Sequence, residues 1–174
     1  MDTYAVVLYF DAVTDRKLKK IIENIALISG NNYMIDVNIP PHITIGSFLS
    51  DEADLLLEMV EVFSKSISAF EVEFEEIRAF EPRVLFASPN KEEYLERLNV
   101  LIHETFCNNF LPADNEYYTP AKWVPHCALA VRLDKEQFQK VVTRQIELPA
   151  NAKVEKIALA RCNPYKEIAV WEIS

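Results

Sequence analysis

The apolar positions change period several times along the chain, and each change marks an element. "TYAVVLYF", Thr3 to Phe10, is a continuous β-branched and aromatic run, as expected of a buried strand. After Thr14-Asp15, the residues Leu18, Ile21, Ile22, Ile25 and then Leu27 or Ile28 recur at helical spacing, and Gly30 offers the stop. "HITIGSF", from His42, predicts a second strand. "DEADLLLEMVEVFSKSI" predicts a helix with acidic residues in its first turn, where the helix dipole favours them. From Phe70 to Phe80 the chain alternates, with Phe70, Val72 and Phe74 set against Glu71, Glu73 and Glu75. That is a strand with one wet face, and Glu81-Pro82 turns the chain after it.

The same order then recurs. "RVLFASP" predicts a strand. A helix follows with Asn90 as its N-cap and Leu95, Leu98, Ile102 and Phe106 as its apolar stripe. "PHCALAVRL" predicts a strand, "DKEQFQKVVTRQI" a helix and "AKVEKIALARC" a strand closed by Asn163-Pro164; "EIAVWEI" adds a last strand. Val84 follows Val6 by 78 residues, His126 follows His42 by 84 and Pro164 follows Pro82 by 82. This regularity predicts an internal duplication, about residues 3–82 and 83–174, within a single bilobal domain over 1–174. The expected class is α+β: two small, mainly antiparallel sheets flanked by helices, related by a pseudo-two-fold, with a cleft between them. The longest irregular stretch, Leu111 to Pro125, leads directly into His126.

Composition narrows what such a cleft can hold. The 174 residues include only two glycines, Gly30 and Gly46, so no Gly-rich phosphate cradle is present. The net charge is −9, with no basic run, which argues against long duplex nucleic acid. A local positive pocket remains compatible with it, so the expected partner is a small phosphorylated nucleotide or an RNA end. Cys107, Cys127 and Cys162 form no CxxC pair and are expected as free thiols. No leader or membrane-spanning run is read from the sequence, so the expected location is cytoplasmic, with no membrane partner. No metal-ligand spacing stands out, and neither metal nor cofactor is expected.

Against that background the two Pro-His strand starts carry the chemistry. In a strand, residues i and i+2 share a face, so His42 and Thr44 project together, as do His126 and Ala128. A neutral imidazole can take a proton from a nucleophile while a protonated one gives a proton to a leaving oxygen. The competing reading is that each histidine only satisfies backbone groups at a strand end. Their equivalent places in a repeated order favour the catalytic reading. His103, off the Leu95/Leu98/Ile102/Phe106 stripe, is expected as a solvated helix residue.

"PHITIGSF" and "WVPHCALAV" resemble the paired His-x-Thr/Ser motifs of the two-histidine phosphoesterase superfamily, which includes 2′-5′ RNA ligase-like proteins and 2′,3′-cyclic nucleotide phosphodiesterases. The resemblance implies a bilobal α+β fold. It implies His42 and His126 as the acid/base pair, Thr44 as a phosphate-oxygen donor, and metal-independent cleavage of an RNA-type phosphodiester. Ala128 departs from the pattern, because Thr or Ser stands there in the family. Among the residues before His126, Tyr118 is a candidate for stacking on a base, and Trp123 either stacks likewise or packs against the body. Lys122 could bring positive charge to a phosphate, Arg83 stands near a turn, and Arg161 is expected to pair with a carboxylate. The row Glu71, Glu73, Glu75 and Glu76 reads as a solvated face.

Overall fold

A computed structural model describes residues 1–90 and 93–174. In chain order the elements are β1 (Asp2–Phe10), α1 (Ala12–Ser29), α2 (Tyr33–Asp36), β2 (His42–Ser50), α3 (Ala53–Ser64), β3 (Phe70–Val72) and β4 (Phe74–Phe80). They continue with β5 (Val84–Pro89), α4 (Glu93–Phe106), β6 (Leu111–Pro112), β7 (Cys127–Ala130), α5 (Lys135–Val141), β8 (Ala152–Arg161) and β9 (Lys166–Glu172). The class is α+β, and every strand pair is antiparallel, as expected.

The strands run β3-β8-β1-β2-β7-β5-β4, with β6 added to β2 and β9 to β8. The path is continuous, but its centre is thin: β2 meets β7 through the single pair Ile43 and Cys127. The sequence suggested that each half of the chain builds its own sheet, and here the structure differs. β4, which precedes residue 83, pairs with β5, which follows it. β8, from the second half, pairs with β1 from the first. The crossing happens at Glu73, where the single strand expected over 70–80 divides: Phe70–Val72 pairs with β8 and Phe74–Phe80 with β5. The turns expected at Pro82 and Pro164 both contain a cis X-Pro bond.

The local chemistry accounts for most boundaries. Asp11 caps α1, its carboxylate accepting from the Thr14 N–H at 3.1 Å. Gly30 ends that helix with φ 78°, a left-handed turn that favours glycine, and its N–H returns to the Ala26 carbonyl at 2.8 Å. Asp134 and Gln137 form a reciprocal capping box at the start of α5. That helix ends at Val141, short of the predicted Ile146. The expected start of α4 at Lys91 and Glu92, behind an Asn90 cap, lies outside the described residues.

The helices share one face of the strands. Leu18, Ile22 and Ile25 of α1, Leu56, Val60 and Phe63 of α3, and Leu95, Leu98, Ile102 and Phe106 of α4 form one core with Val6, Leu8, Ile43, Ile45, Phe48, Ile157 and Leu159. On the opposite face β1 and β8 show a small second cluster, Ala5, Val7, Tyr9 and Ala158. Ala5 and Val7 of that face line a cavity.

Candidate active site

A cavity of about 850 Å³ opens on this second face and is lined by His42, Thr44, His126, Ala128 and Tyr118, among others. The motifs arrive there by strand geometry. Ile43 and Cys127 are paired Cα partners and fully buried on the core side. Antiparallel register then sets position 42 opposite 128 and 44 opposite 126, all four on the cavity side. Each histidine therefore faces the +2 residue of the other motif. Thr44 lies across from His126, and Ala128 across from His42.

The two imidazoles are held in the same way. Nδ1 of His42 meets the Pro40 carbonyl at 2.7 Å, and Nδ1 of His126 meets the Val124 carbonyl at 2.7 Å. A carbonyl only accepts, so Nδ1 carries the proton and Nε2 presents a lone pair when the ring is neutral. Burial lowers the pKa of both histidines below the ordinary imidazole value, partly offset by those carbonyl bonds. His42 is pushed down further by the charge of His126, an electrostatic sign of their proximity. The rings have different walls. His126 lies 5.2 Å from Phe80, 5.3 Å from Phe86 and 6.2 Å from Tyr118, centroid to centroid. His42 stacks on Tyr165 at 6.3 Å.

A bulge in β2 fixes what else reaches the cavity. Val6 pairs with Gly46 and Val7 with Thr44, so Ile45 is an extra residue. His42, Thr44 and Ser47 thereby share the cavity face, while Ile45 and Phe48 are fully buried in the core. Gly46 must be glycine for space. A Cβ there would lie 2.8 Å from the Phe48 ring and 3.4 Å from Ile102 on α4.

Backbone carbonyls at and beside the bulge accept hydrogen bonds from α4 and from the segment before His126. Asn99 of α4, 1% exposed, donates from Nδ2 to the Ile45 carbonyl at 2.8 Å and to the Tyr118 carbonyl at 2.8 Å. Trp123 Nε1 donates to the Thr44 carbonyl at 3.0 Å. The Ala113 N–H donates to the Ser47 carbonyl at 2.9 Å, and the Ser47 hydroxyl donates to Asp114. The segment carrying Tyr118 and His126 is thus fastened along the strand carrying His42 and Thr44.

These contacts decide several sequence expectations. Trp123 packs against the core and binds backbone. Tyr118 lines the cavity beside His126 and Thr44; burial, then Asp114 and Cys162, push its phenol up to about 12, with Thr44 bonding in the opposite sense. Lys122 also lines the cavity, with Nζ 3.0 Å from Glu116. Arg161 pairs with Asp2 at 3.6 Å. His103 is a correction. It is 6% exposed, its Nδ1 donates to the Asn99 carbonyl at 2.7 Å, and its ring lies 5.4 Å from Phe48. The buried face of α4 is broader than the four-residue stripe, because Asn99 and His103 flank it one turn apart.

Asn99, Ser47, Asp114 and Tyr165 escaped the sequence reading. Tyr165 alone had a usable signal, as an aromatic just after the Asn163-Pro164 turn. Its hydroxyl bonds to that of Tyr9, and burial raises its pKa to about 12. Among the described residues, no three His, Cys, Asp or Glu side chains group as metal ligands, and no helix is long and apolar enough to cross a membrane.

The family model described as the 2′-5′ RNA ligase superfamily matches residues 17–164. Solved structures share the fold at low identity. A structure described as a phosphoesterase aligns over 100% of this chain and 99% of its own, with TM-score 0.65 and 12% identity. TT0787 of Thermus thermophilus gives TM-score 0.64 and 16% identity, over 98% of this chain and 97% of its own. LigT of E. coli complexed with 3′-AMP gives TM-score 0.61 and 13% identity, over 99% and 98%. No curated protein matches.

Proposed function

The chain belongs to the 2′-5′ RNA ligase superfamily, and on that premise we propose a metal-independent phosphoesterase that hydrolyses a 2′,3′-cyclic or 2′-5′-linked nucleotide phosphodiester. One observation carries the reading. His42 and His126 come from distant parts of the chain, line one cavity, and are held by identical Nδ1–carbonyl bonds.

In this reading the two Nε2 atoms address a single phosphate. One imidazole, neutral, takes the proton of the attacking water. The other, protonated when the anionic substrate enters, passes its proton to the departing ribose oxygen. Each transfer is worth about 10²–10⁴ in rate. Binding the phosphate raises the depressed pKa of the proton donor, because a nearby negative charge favours imidazolium. The Thr44 hydroxyl donates to a non-bridging oxygen on the His126 side, and Tyr118 borders the leaving nucleoside. LigT of E. coli has been captured with phosphate and with 3′-AMP, and ligands of that chemical class suit this cavity. The same reading treats residues 3–82 and 83–174 as two copies of one unit that exchanged their outer strands.

Turnover of 2′,3′-cyclic nucleotides tests the proposal. Wild type is expected to hydrolyse them, and His42→Ala and His126→Ala each to lose most of the rate. Undiminished activity in either variant would reject the assignment. Ala128 favours one second reading, a phosphorylated-ligand-binding protein with weakened catalysis. It predicts tight binding with negligible turnover, and a gain in rate on Ala128→Ser.

A further inference from the structure

Besides the two histidines, the cavity lining includes two arginines. Arg83 and Arg132 both line it, in a chain whose net charge is −9. Their segments are tied together, the Leu133 N–H donating to the Arg83 carbonyl at 3.0 Å. The Arg132 guanidinium is already positioned. It lies 4.1 Å over the ring of Tyr33, another cavity residue. Its backbone has φ 57°, the left-handed region that a residue with a Cβ seldom occupies. Asn31 Nδ2 holds its carbonyl at 3.2 Å. An uncommon backbone conformation fixing a cation at a cavity wall points toward function. Neither arginine makes a salt bridge to a described carboxylate, although Glu81 borders the same cavity.

We propose that Arg132 and Arg83 form a subsite for a second phosphate of the substrate, which makes the preferred substrate an oligonucleotide end rather than a lone cyclic nucleotide. The inference rests on the acid/base reading of His42 and His126. Arg132 lies six residues beyond His126, at most about 20 Å of chain. Neighbouring phosphates of one nucleic-acid strand fall within that reach. Arginine suits the role because its planar fork pairs with phosphate oxygens bidentately and stays charged at any working pH.

The test compares adenosine 2′,3′-cyclic phosphate with the dinucleotide ApA ending in a 2′,3′-cyclic phosphate. Wild type is expected to show a kcat/KM about tenfold or more higher for the dinucleotide. Arg132→Gln and Arg83→Gln should each remove most of that preference and leave mononucleotide turnover unchanged. A dinucleotide whose internal linkage is an uncharged methylphosphonate should lose the same advantage against wild type, with no change to the protein. Equal rates on both substrates, or variants that lose both activities alike, would overturn the subsite. Absence of turnover on either substrate would instead sink the histidine reading. The subsite is then decided by calorimetry with the same two ligands: tighter dinucleotide binding that Arg132→Gln abolishes supports it, and equal affinities refute it.

Discussion

The His42 strand and the His126 strand do the same thing with their imidazoles and different things around them. Both rings donate Nδ1–H to the carbonyl two residues back, at 2.7 Å. β2, however, is nine residues long and laddered to β1, while β7 has only four. Across from His126 stands Thr44, with Tyr118 beside it; across from His42 stands Ala128, with Tyr165 against the ring. The imidazoles are thus held alike on both sides, while the only motif hydroxyl, that of Thr44, stands on the His126 side. On the proposed reading, Ala128 would leave the acid/base pair intact and take a hydroxyl donor from one wall.

The largest expected effects break the shared half of this comparison. His42→Ala and His126→Ala should each lower kcat by about 10²–10⁴. The double variant should lose little more than the worse single one, because a pair acting as a unit is not additive. Steady-state rates on a 2′,3′-cyclic nucleotide measure both. A double variant whose loss is the product of the single losses would mean that the histidines act separately.

The next effect sharpens the unshared half. Thr44→Val removes a donor to a charged oxygen, about 1.5–3 kcal/mol, so kcat/KM should fall about ten- to a hundredfold. Ala128→Ser restores a hydroxyl on the other wall and should change the rate by less than Thr44→Val does. A larger response at position 128 would reverse the comparison and favour the weakened-enzyme reading.

How much of this was legible in the sequence depends on distance along the chain. The Pro-His starts, the strand alternation and the Gly30 stop are local patterns, and the structure places His42, Thr44, His126 and Tyr118 around one cavity. The crossing at Glu73 was not legible, since the 70–80 alternation is the same whether a strand pairs once or changes partner midway. Nor was the bulge at Ile45, because register belongs to two strands together. His103 was misjudged because Asn99 and His103 bury polar atoms by bonding to backbone, and a hydrophobic stripe does not reveal such bonds.

Smaller effects follow from those buried polar groups. Asn99→Leu strands the Ile45 and Tyr118 carbonyls, and should cost about 1–3 kcal/mol of stability, read as a lower urea midpoint. No shift in the midpoint would show that the fastening of the loop to β2 carries little energy.

The pH dependence is gentler. Burial depresses the folded-state pKa of His42, His126 and His103, so below an ordinary imidazole value of about 6.5 the unfolded chain takes up protons first. Stability is then full above that value and is lost as pH falls through the folded values. Thermal unfolding between pH 8 and 5 should show a declining midpoint, less steep in His103→Leu. A midpoint that rises on acidification would contradict the sign of these shifts.

The most direct measurement is a pH titration of the histidine ring signals by NMR, with and without inorganic phosphate. Phosphate is expected to raise the apparent pKa of His42 and His126 together while the buried His103 stays unmoved. A shift confined to one of the two, or shared equally by all three, would mean that the pair does not face a common anion.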